Sequence, residues 1–344
     1  MRWLLMLAAS LALALGLEAS GLPAAVLLGA MVAAILFATN GARLSVPRAP
    51  FLGAQAIIGC LIAENIDPGI VATFVDDWPL FGAILLIIIL ATTIMGYAMA
   101  RAGVLPGTTA IWGTSAGAAS AMVLMAESHG ADARLVAFMQ YCRVVAVASA
   151  AALVAALMFD AEPSAAAVAP LFPAVDWPAL AATLGVAFAS CAIGVLARVP
   201  SGALLAPMIV AAALQAGGLL AIELPPWLVM AAFALVGWRI GLGFTRRSLR
   251  HAASALPYVL GSIALLMALC AGLAVVLAAG FDIDLLTAYL ATSPGGLDTV
   301  AIIAASTPVD VSFVMALQTG RLVLIVVLGP FVSRLASRRL PPRS

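Results

Sequence analysis

Long apolar runs follow one another along the chain, separated by short polar connections. A run of about 20 apolar residues can cross a hydrocarbon core of about 30 Å as a helix, whereas barrel strands would show shorter segments of alternating polarity. The pattern therefore predicts an all-α polytopic membrane protein. The expected helices are 3–17, 23–37, 51–63, 79–100, 135–159, 177–197, 203–222, 227–244, 256–279 and 311–335.

Two stretches rich in Gly, Ser, Thr and Ala interrupt this pattern, Trp112 to Met125 and Leu290 to Ile303. Their residue numbers differ by 178 at equivalent positions. In this register, without a gap, Thr114, Ser115, Gly117, Asp132, Gln140 and Arg143 match Thr292, Ser293, Gly295, Asp310, Gln318 and Arg321. This register indicates an internal duplication, with a first membrane repeat over 1–160, a linker over 161–176 and a second membrane repeat over 177–344.

The distribution of arginines bears on how these stretches meet the membrane, because basic loops tend to stay cytoplasmic. If both stretches crossed, the repeats would run parallel, and the loops that hold Arg43 with Arg48 and Arg246 with Arg250 would face opposite sides. If each stretch enters and returns, all basic loops face one side. We therefore expect two inverted repeats, each of about five transmembrane helices plus one re-entrant hairpin, with both termini cytoplasmic.

Composition supports the membrane class and narrows the chemistry. Hydrophobic residues make up 65% of the 344 residues and charged residues 9%, with a mean hydropathy of +1.19. That leaves too little polar surface for a water-soluble globule of this length. The four cysteines lie singly in apolar runs and read as packing residues. Residues 1–20 resemble a signal peptide, but they align with 177–197 in the duplication, which favours a retained first helix.

Arg143 and Arg321 fall about eight to ten residues inside their predicted helices. A charge at that depth is costly and usually faces a cavity or a partner. Because guanidinium groups pair with carboxylate or phosphate, the two arginines suggest a small anionic solute. The alternative is a structural salt bridge, for which Asp298 is the obvious partner. Gln140 and Gln318, three residues earlier on the same helical face, would bind substrate or tie the hairpin to the helix.

The hairpin tips would complete this site with hydroxyls and backbone groups, since irregular backbone at membrane depth is tolerated where it is buried or lines a wet cavity. Asp298 is a candidate for coupling to protons or sodium. The competing interpretation is that these small residues serve close helix packing, as at Gly113 and Gly117. The tip residues concerned are Thr114, Ser115, Gly117, Thr292, Ser293, Gly295 and Gly296.

The blocks TSAGAASAMVLMAESHGADARLVAFMQYCRV and ATSPGGLDTVAIIAA, with DVSFVMALQTGRLVLIVVLGP, resemble the duplicated unit of the AbrB-type bacterial membrane proteins over essentially the whole chain. Members of that family carry three conflicting labels: regulator of gene expression, ammonia monooxygenase and transporter. His129 and His251 are the only histidines, too few for a copper or iron oxygenase, and no soluble stretch offers a basic element that reads DNA.

Transport suits the expected architecture best. The leading hypothesis is a secondary transporter in the bacterial inner membrane that moves a small organic anion by alternating access. It needs no cofactor or metal, is not an enzyme and binds no nucleic acid. Its expected partners are the lipid bilayer and the solute, and a second copy of the chain is a candidate partner. The alternative is a membrane sensor that affects gene expression indirectly, through a partner or a transported effector.

Overall fold

The computed structural model describes residues 2–19, 24–42, 44–66, 78–106, 108–159, 172–199, 201–281, 283–295, 300 and 309–337. Regular structure in these ranges is helical throughout. The helices are α1 (Arg2–Ala19), α2 (Ala25–Thr39), α3 (Arg48–Glu64), α4 (Trp78–Arg101), α5 (Thr109–Thr114), α6 (Ala119–Ser128), α7 (Ala133–Phe159), α8 (Trp177–Leu196), α9 (Gly202–Ala216), α10 (Pro226–Gly241), α11 (Arg246–Phe281), α12 (Leu285–Thr292) and α13 (Val311–Ser337).

The described residues are all-α, as predicted, and several of these helices are long and apolar enough to cross a membrane, which supports the predicted membrane class. By length and composition they are α1, α4, α8, α11 and residues Val311–Ser333 of α13. Their outer faces carry large exposed aliphatic side chains, such as Leu4 at 70% and Leu196 at 81% exposure. Surfaces of this kind are unfavourable in water and favourable against lipid tails.

Two predicted helix boundaries were wrong by more than five residues. The helix expected over 203–222 ends at Ala216, because Gly217 follows and Gly218 adopts a φ of +68°, a conformation that terminates helices. The helix expected over 256–279 begins ten residues earlier, at Arg246. Its basic first turns lie largely exposed, so an apolar window could not find them.

The chain forms two compact units, and each draws on both halves of the sequence: Met1–Asp67 with Val168–Arg250, and Pro68–Ala167 with His251–Ser344. One change of unit, between 167 and 168, falls within the predicted linker 161–176, whereas the other two fall inside the predicted repeats. The division into repeats stays a prediction about sequence.

In the first unit, helices of the two halves pack on each other, α3 on α9 and α10 on α2. Two glycines 178 positions apart make these contacts possible. A Cβ on Gly59 would lie 2.5 Å from the carbonyl oxygen of Leu204 in α9, and a Cβ on Gly237 would lie 2.6 Å from that of Leu27 in α2. Close approach of backbones at glycine is typical of membrane helices, and the GxxxG spacing of Gly237 and Gly241 thus serves packing within the chain.

The second unit contains both Thr-Ser-X-Gly stretches. Helices α4, α5, α6 and α7 contact one another in sequence, α12 packs on α13, and α13 also contacts α4, α5 and α6. The last helix of the second half thereby lies against the interrupted stretch of the first half. This unit holds the candidate site.

Candidate functional site

The first interrupted stretch returns to where it starts. The hydroxyl of Thr109, in the first turn of α5, accepts a hydrogen bond of 3.1 Å from the backbone N–H of Asp132, which follows α6. The ring of His129 also lies 5.3 Å from that of Trp112 in α5. The second stretch repeats the closing bond, since the Thr287 hydroxyl accepts 3.2 Å from the N–H of Asp310. Residues 109–132 therefore form a helical hairpin, and the described ends of 287–310 meet in the same way.

Each stretch contains a break in its helix, which exposes carbonyl groups that a continuous helix would bond. Helix α5 ends at Thr114 and α6 starts at Ala119, so that Ser115 to Ala118 are not helical. Helix α12 ends at Thr292 and is followed by non-helical Ser293 to Gly295. The last carbonyls of a helix carry partial negative charge and need donors when they are buried.

In the first half, those donors come from α7. Gln140 donates through Nε2 to the carbonyls of Trp112 at 2.8 Å and Ser115 at 2.9 Å. Arg143 donates through Nη1 to Ser115 at 2.6 Å and through Nη2 to Gly117 at 2.9 Å. A glutamine and an arginine one turn apart thus close the end of α5 and hold the break against α7.

In the second half, α13 does the same. Gln318 donates to the carbonyls of Leu290 at 2.7 Å and Ser293 at 3.1 Å. Arg321 donates to Ser293 at 2.6 Å and to Gly295 at 3.1 Å. The four bonds match those of the first half atom for atom with the register of 178, and we call each set of a glutamine and an arginine a latch.

The latches differ in one bond. Nη2 of Arg321 makes a second hydrogen bond, 2.6 Å long, to Oε1 of Gln318. In the first latch Oε1 of Gln140 is buried without a partner among the described residues, and so is Nε of both arginines. The side chains themselves are almost fully buried, with Arg143 2% and Arg321 4% exposed.

The hydroxyls at the ends of the half-helices are also bonded to backbone. Thr114 donates to the carbonyl of Thr92 in α4 at 2.8 Å, and Thr292 donates to that of Cys270 in α11 at 3.1 Å. Ser293 donates to Leu290 at 3.1 Å. These bonds fix each half-helix to the long helix that precedes it, and three of the hydroxyls expected at a solute are engaged in this way.

The two breaks lie beside each other through reciprocal contacts. A Cβ on Gly117 would meet Cγ2 of Ile325 at 3.0 Å, one turn beyond Arg321 on α13. A Cβ on Gly295 would meet Cγ1 of Val147 at 3.4 Å, one turn beyond Arg143 on α7. Each break thus packs against the helix that latches the other break. The guanidinium charge of Arg321 is also close enough to that of Arg143 to repel it.

The structure brings together most of the predicted site residues. Ten of them lie in the two latched breaks: Thr114, Ser115, Gly117, Gln140, Arg143, Thr292, Ser293, Gly295, Gln318 and Arg321. Gly296 and Asp298 lie outside the described residues, so the predicted coupling role of Asp298 and its pairing with an arginine stay predictions. The sequence prediction missed Thr109 and Thr287, although they too are identical residues 178 positions apart.

Small cavities adjoin the first break. One of about 10 Å³ is lined by Arg143, Thr114 and Ser262, with apolar neighbours from α4, α7 and α11. Another of about 20 Å³ lies beside Trp112 and Ser115, between α4 and α13. Such volumes admit about one water molecule. A larger solute would need the surrounding helices to move.

Comparison with known proteins identifies the family. The family model described as "Transition state regulatory protein AbrB" matches residues 26–337. The chain is 47% identical over 345 residues to "Putative regulator AbrB" of Escherichia coli (strain K12), covering 100% of this chain and 99% of the relative. It is 25% identical over 296 residues to "Uncharacterized protein YhjN" of Bacillus subtilis (strain 168), covering 82% and 77%. No solved structure matches. The chain belongs to the AbrB family.

Proposed function

We propose that this protein is a secondary transporter of the bacterial inner membrane that moves a small organic anion by alternating access. The observation that carries the proposal is the pair of latched breaks that pack on each other in one compact unit. Broken elements of this kind, related by an internal repeat, supply the solute site of many secondary transporters.

The hairpin geometry supports a re-entrant arrangement. Since the ends of 109–132 are joined by a hydrogen bond, entry and exit lie together, as a stretch that dips into the membrane and returns requires. With both stretches re-entrant, the repeats are inverted and the basic loops share the cytoplasmic side with both termini. The lipid bilayer is then a further partner of the chain, and a second copy of the chain is a candidate partner.

Charge favours an anion as the solute. The described residues of both latches carry two buried guanidinium groups whose bonded partners are neutral carbonyl and amide oxygens. Buried charge is costly unless it is compensated, so an anion gains from entering this region. The proposal includes no cofactor, no catalytic reaction and no nucleic acid.

The alternative function is a membrane sensor that acts on gene expression through a partner or through a transported effector. It rests on the name of the relative from Escherichia coli, "Putative regulator AbrB". A transporter whose solute is itself an effector would reconcile that name with the latched breaks.

A thermal-shift screen tests the anion site. Purified full-length protein is heated with a panel of anionic metabolites, and any stabilising anion is titrated against Arg143→Ala and Arg321→Ala. We expect stabilisation by at least one small organic anion and its loss in one or both variants. If both variants fold and respond as the unaltered protein does, the arginines do not form the site.

A further inference from the structure

The two arginines are inequivalent in the donors that they have left. A guanidinium group has five N–H donors, and two of its adjacent nitrogens match the two oxygens of a carboxylate. In Arg321, Nη2 uses both of its hydrogens, on Gly295 and Gln318, so the free hydrogen of Nε lies beside a nitrogen that has none left to donate. In Arg143, Nη2 makes one hydrogen bond and Nε makes none among the described residues, which leaves a free hydrogen on each of two adjacent nitrogens.

Arg143 also lines a cavity. The cavity of about 10 Å³ lies between α4, α5, α7 and α11, with Thr114 and Ser262 as its other polar residues. Both hydroxyls already donate to carbonyls, Thr114 to Thr92 and Ser262 to Val259. Arg143 is therefore the lining residue with free donors. Its unpartnered Nε is buried, where an unsatisfied donor is costly.

The remaining walls are apolar. They consist of Gly113 and the side chains of Met95, Met139, Val259, Ile263 and Leu266. No second basic residue stands in this lining to receive another negative charge. A ligand with two separated charges, or with the double charge of phosphate, would place uncompensated charge against hydrocarbon. The flexible methionine side chains can give way to an aliphatic tail.

We propose that Arg143 binds the carboxylate of a short aliphatic monocarboxylate, while Arg321 serves only to latch the second break. The aliphatic tail lies between Met95, Met139 and α11, which move apart to enlarge the cavity of about 10 Å³. This inference rests on the proposed function, and it gives that function a substrate class. In the second half Gln318 occupies the position on the guanidinium that the carboxylate takes in the first half. In the first half Oε1 of Gln140 is buried without a hydrogen-bond partner among the described residues, so it does not occupy that position on Arg143.

The test measures binding of butyrate, succinate and inorganic phosphate to the purified full chain by thermal shift and titration calorimetry. We expect saturable binding of butyrate, with succinate and phosphate at least about tenfold weaker, which corresponds to about 1.4 kcal/mol. Arg143→Lys keeps the charge but loses the pair of donors, so it weakens butyrate binding about tenfold or more. The matched variant Arg321→Lys changes the affinity for butyrate by less than about threefold.

A second pair of variants covers the case in which Arg143→Lys does not fold. Ser262→Leu fills the cavity and leaves Arg143 intact, so butyrate binding is lost; Gly261→Ala, at the neighbouring position where an added Cβ meets nothing within 4 Å, leaves it unchanged. Equal weakening by Arg143→Lys and Arg321→Lys, or unchanged binding in Ser262→Leu, overturns the inference. Preference for succinate or phosphate overturns the substrate class but keeps the anion transporter. Absence of binding by every anion of the wider panel overturns both.

Discussion

The latches predict a difference in stability between two chemically identical substitutions. Methionine has about the length of the arginine stem and no donors, so Arg→Met removes the guanidinium bonds at either position. In Arg143→Met the carbonyl of Ser115 keeps its bond from Gln140, and the carbonyl of Gly117 loses its partner. In Arg321→Met the carbonyl of Ser293 keeps Gln318, whereas the carbonyl of Gly295 and Oε1 of Gln318 both lose theirs.

The expected magnitude follows from the number of acceptors left unpaired. Side-chain hydrogen bonds within membrane proteins contribute on average about 0.6 kcal/mol and at most about 1.7 kcal/mol. One orphaned acceptor in Arg143→Met and two in Arg321→Met give a difference of about 0.6–1.7 kcal/mol, with Arg321→Met the less stable. Removal of the guanidinium charge itself relieves a burial cost of similar size in both variants, so it largely cancels in the comparison.

The assay is reversible unfolding of both variants and the unaltered protein in mixed micelles, by titration with a denaturing detergent. A double-mutant cycle with Gln318→Leu then isolates the bond between the two side chains of the second latch, for which we expect a coupling of about 0.5–1.5 kcal/mol. Equal stability of the two Arg→Met variants, or a less stable Arg143→Met, would refute the assignment of the extra bond to the second latch.

Three further outcomes follow from the structure. Thr109→Val removes the bond that closes the first hairpin, so it should cost about 1 kcal/mol and speed hydrogen exchange at the Asp132 amide; an unchanged exchange rate contradicts the closed hairpin. Gly59→Ala forces α3 away from α9 and should lower the unfolding temperature, whereas Gly185→Ala, where the added Cβ meets nothing within 4 Å, should leave it equal or higher; a harmless Gly59→Ala contradicts the packing. At Asp132, burial raises the carboxyl pKa, but hydrogen bonds and charge attraction from Arg134 and the backbone N–H groups of Arg134 and Leu135 outweigh it and lower the pKa overall. Its ionised form therefore stabilises the fold above the unfolded pKa of about 3.9, and that stabilisation is lost as the pH falls through the lower folded pKa. The difference in unfolding free energy between the unaltered protein and Asp132→Asn, less than about 1 kcal/mol, should vanish in the same pH range. A difference that stays constant with pH contradicts the ion pair.

The sequence predicted the class and most helices because apolar runs of membrane length are a strong and local signal. The register of 178 also located both latches, since Gln140, Arg143, Gln318 and Arg321 are polar residues in apolar surroundings. What the arginines bond could not be predicted. Guanidinium groups donate hydrogen bonds to anions and also to the carbonyls of a helix end, and only the positions of the breaks decide between these partners.

Helix ends that do not coincide with the end of an apolar run could not be predicted either. The basic first turns of α11 are helical although they fall outside any apolar window, and the end of α9 depends on the conformation of Gly218. The difference between the latches is a further case. It arises from one side-chain amide oxygen, which accepts a hydrogen bond from the arginine in the second half and accepts none in the first, although the glutamine and the arginine are present in both halves.

Solute counterflow into proteoliposomes tests the central claim most directly. Liposomes that contain the purified full chain are loaded with unlabelled small organic anions and diluted into the labelled anion, beside protein-free liposomes and liposomes with Arg143→Lys. The account predicts transient, saturable accumulation of at least one such anion, present with the unaltered protein and strongly reduced with the variant. Uptake no greater than in protein-free liposomes for every anion that binds the protein would contradict it.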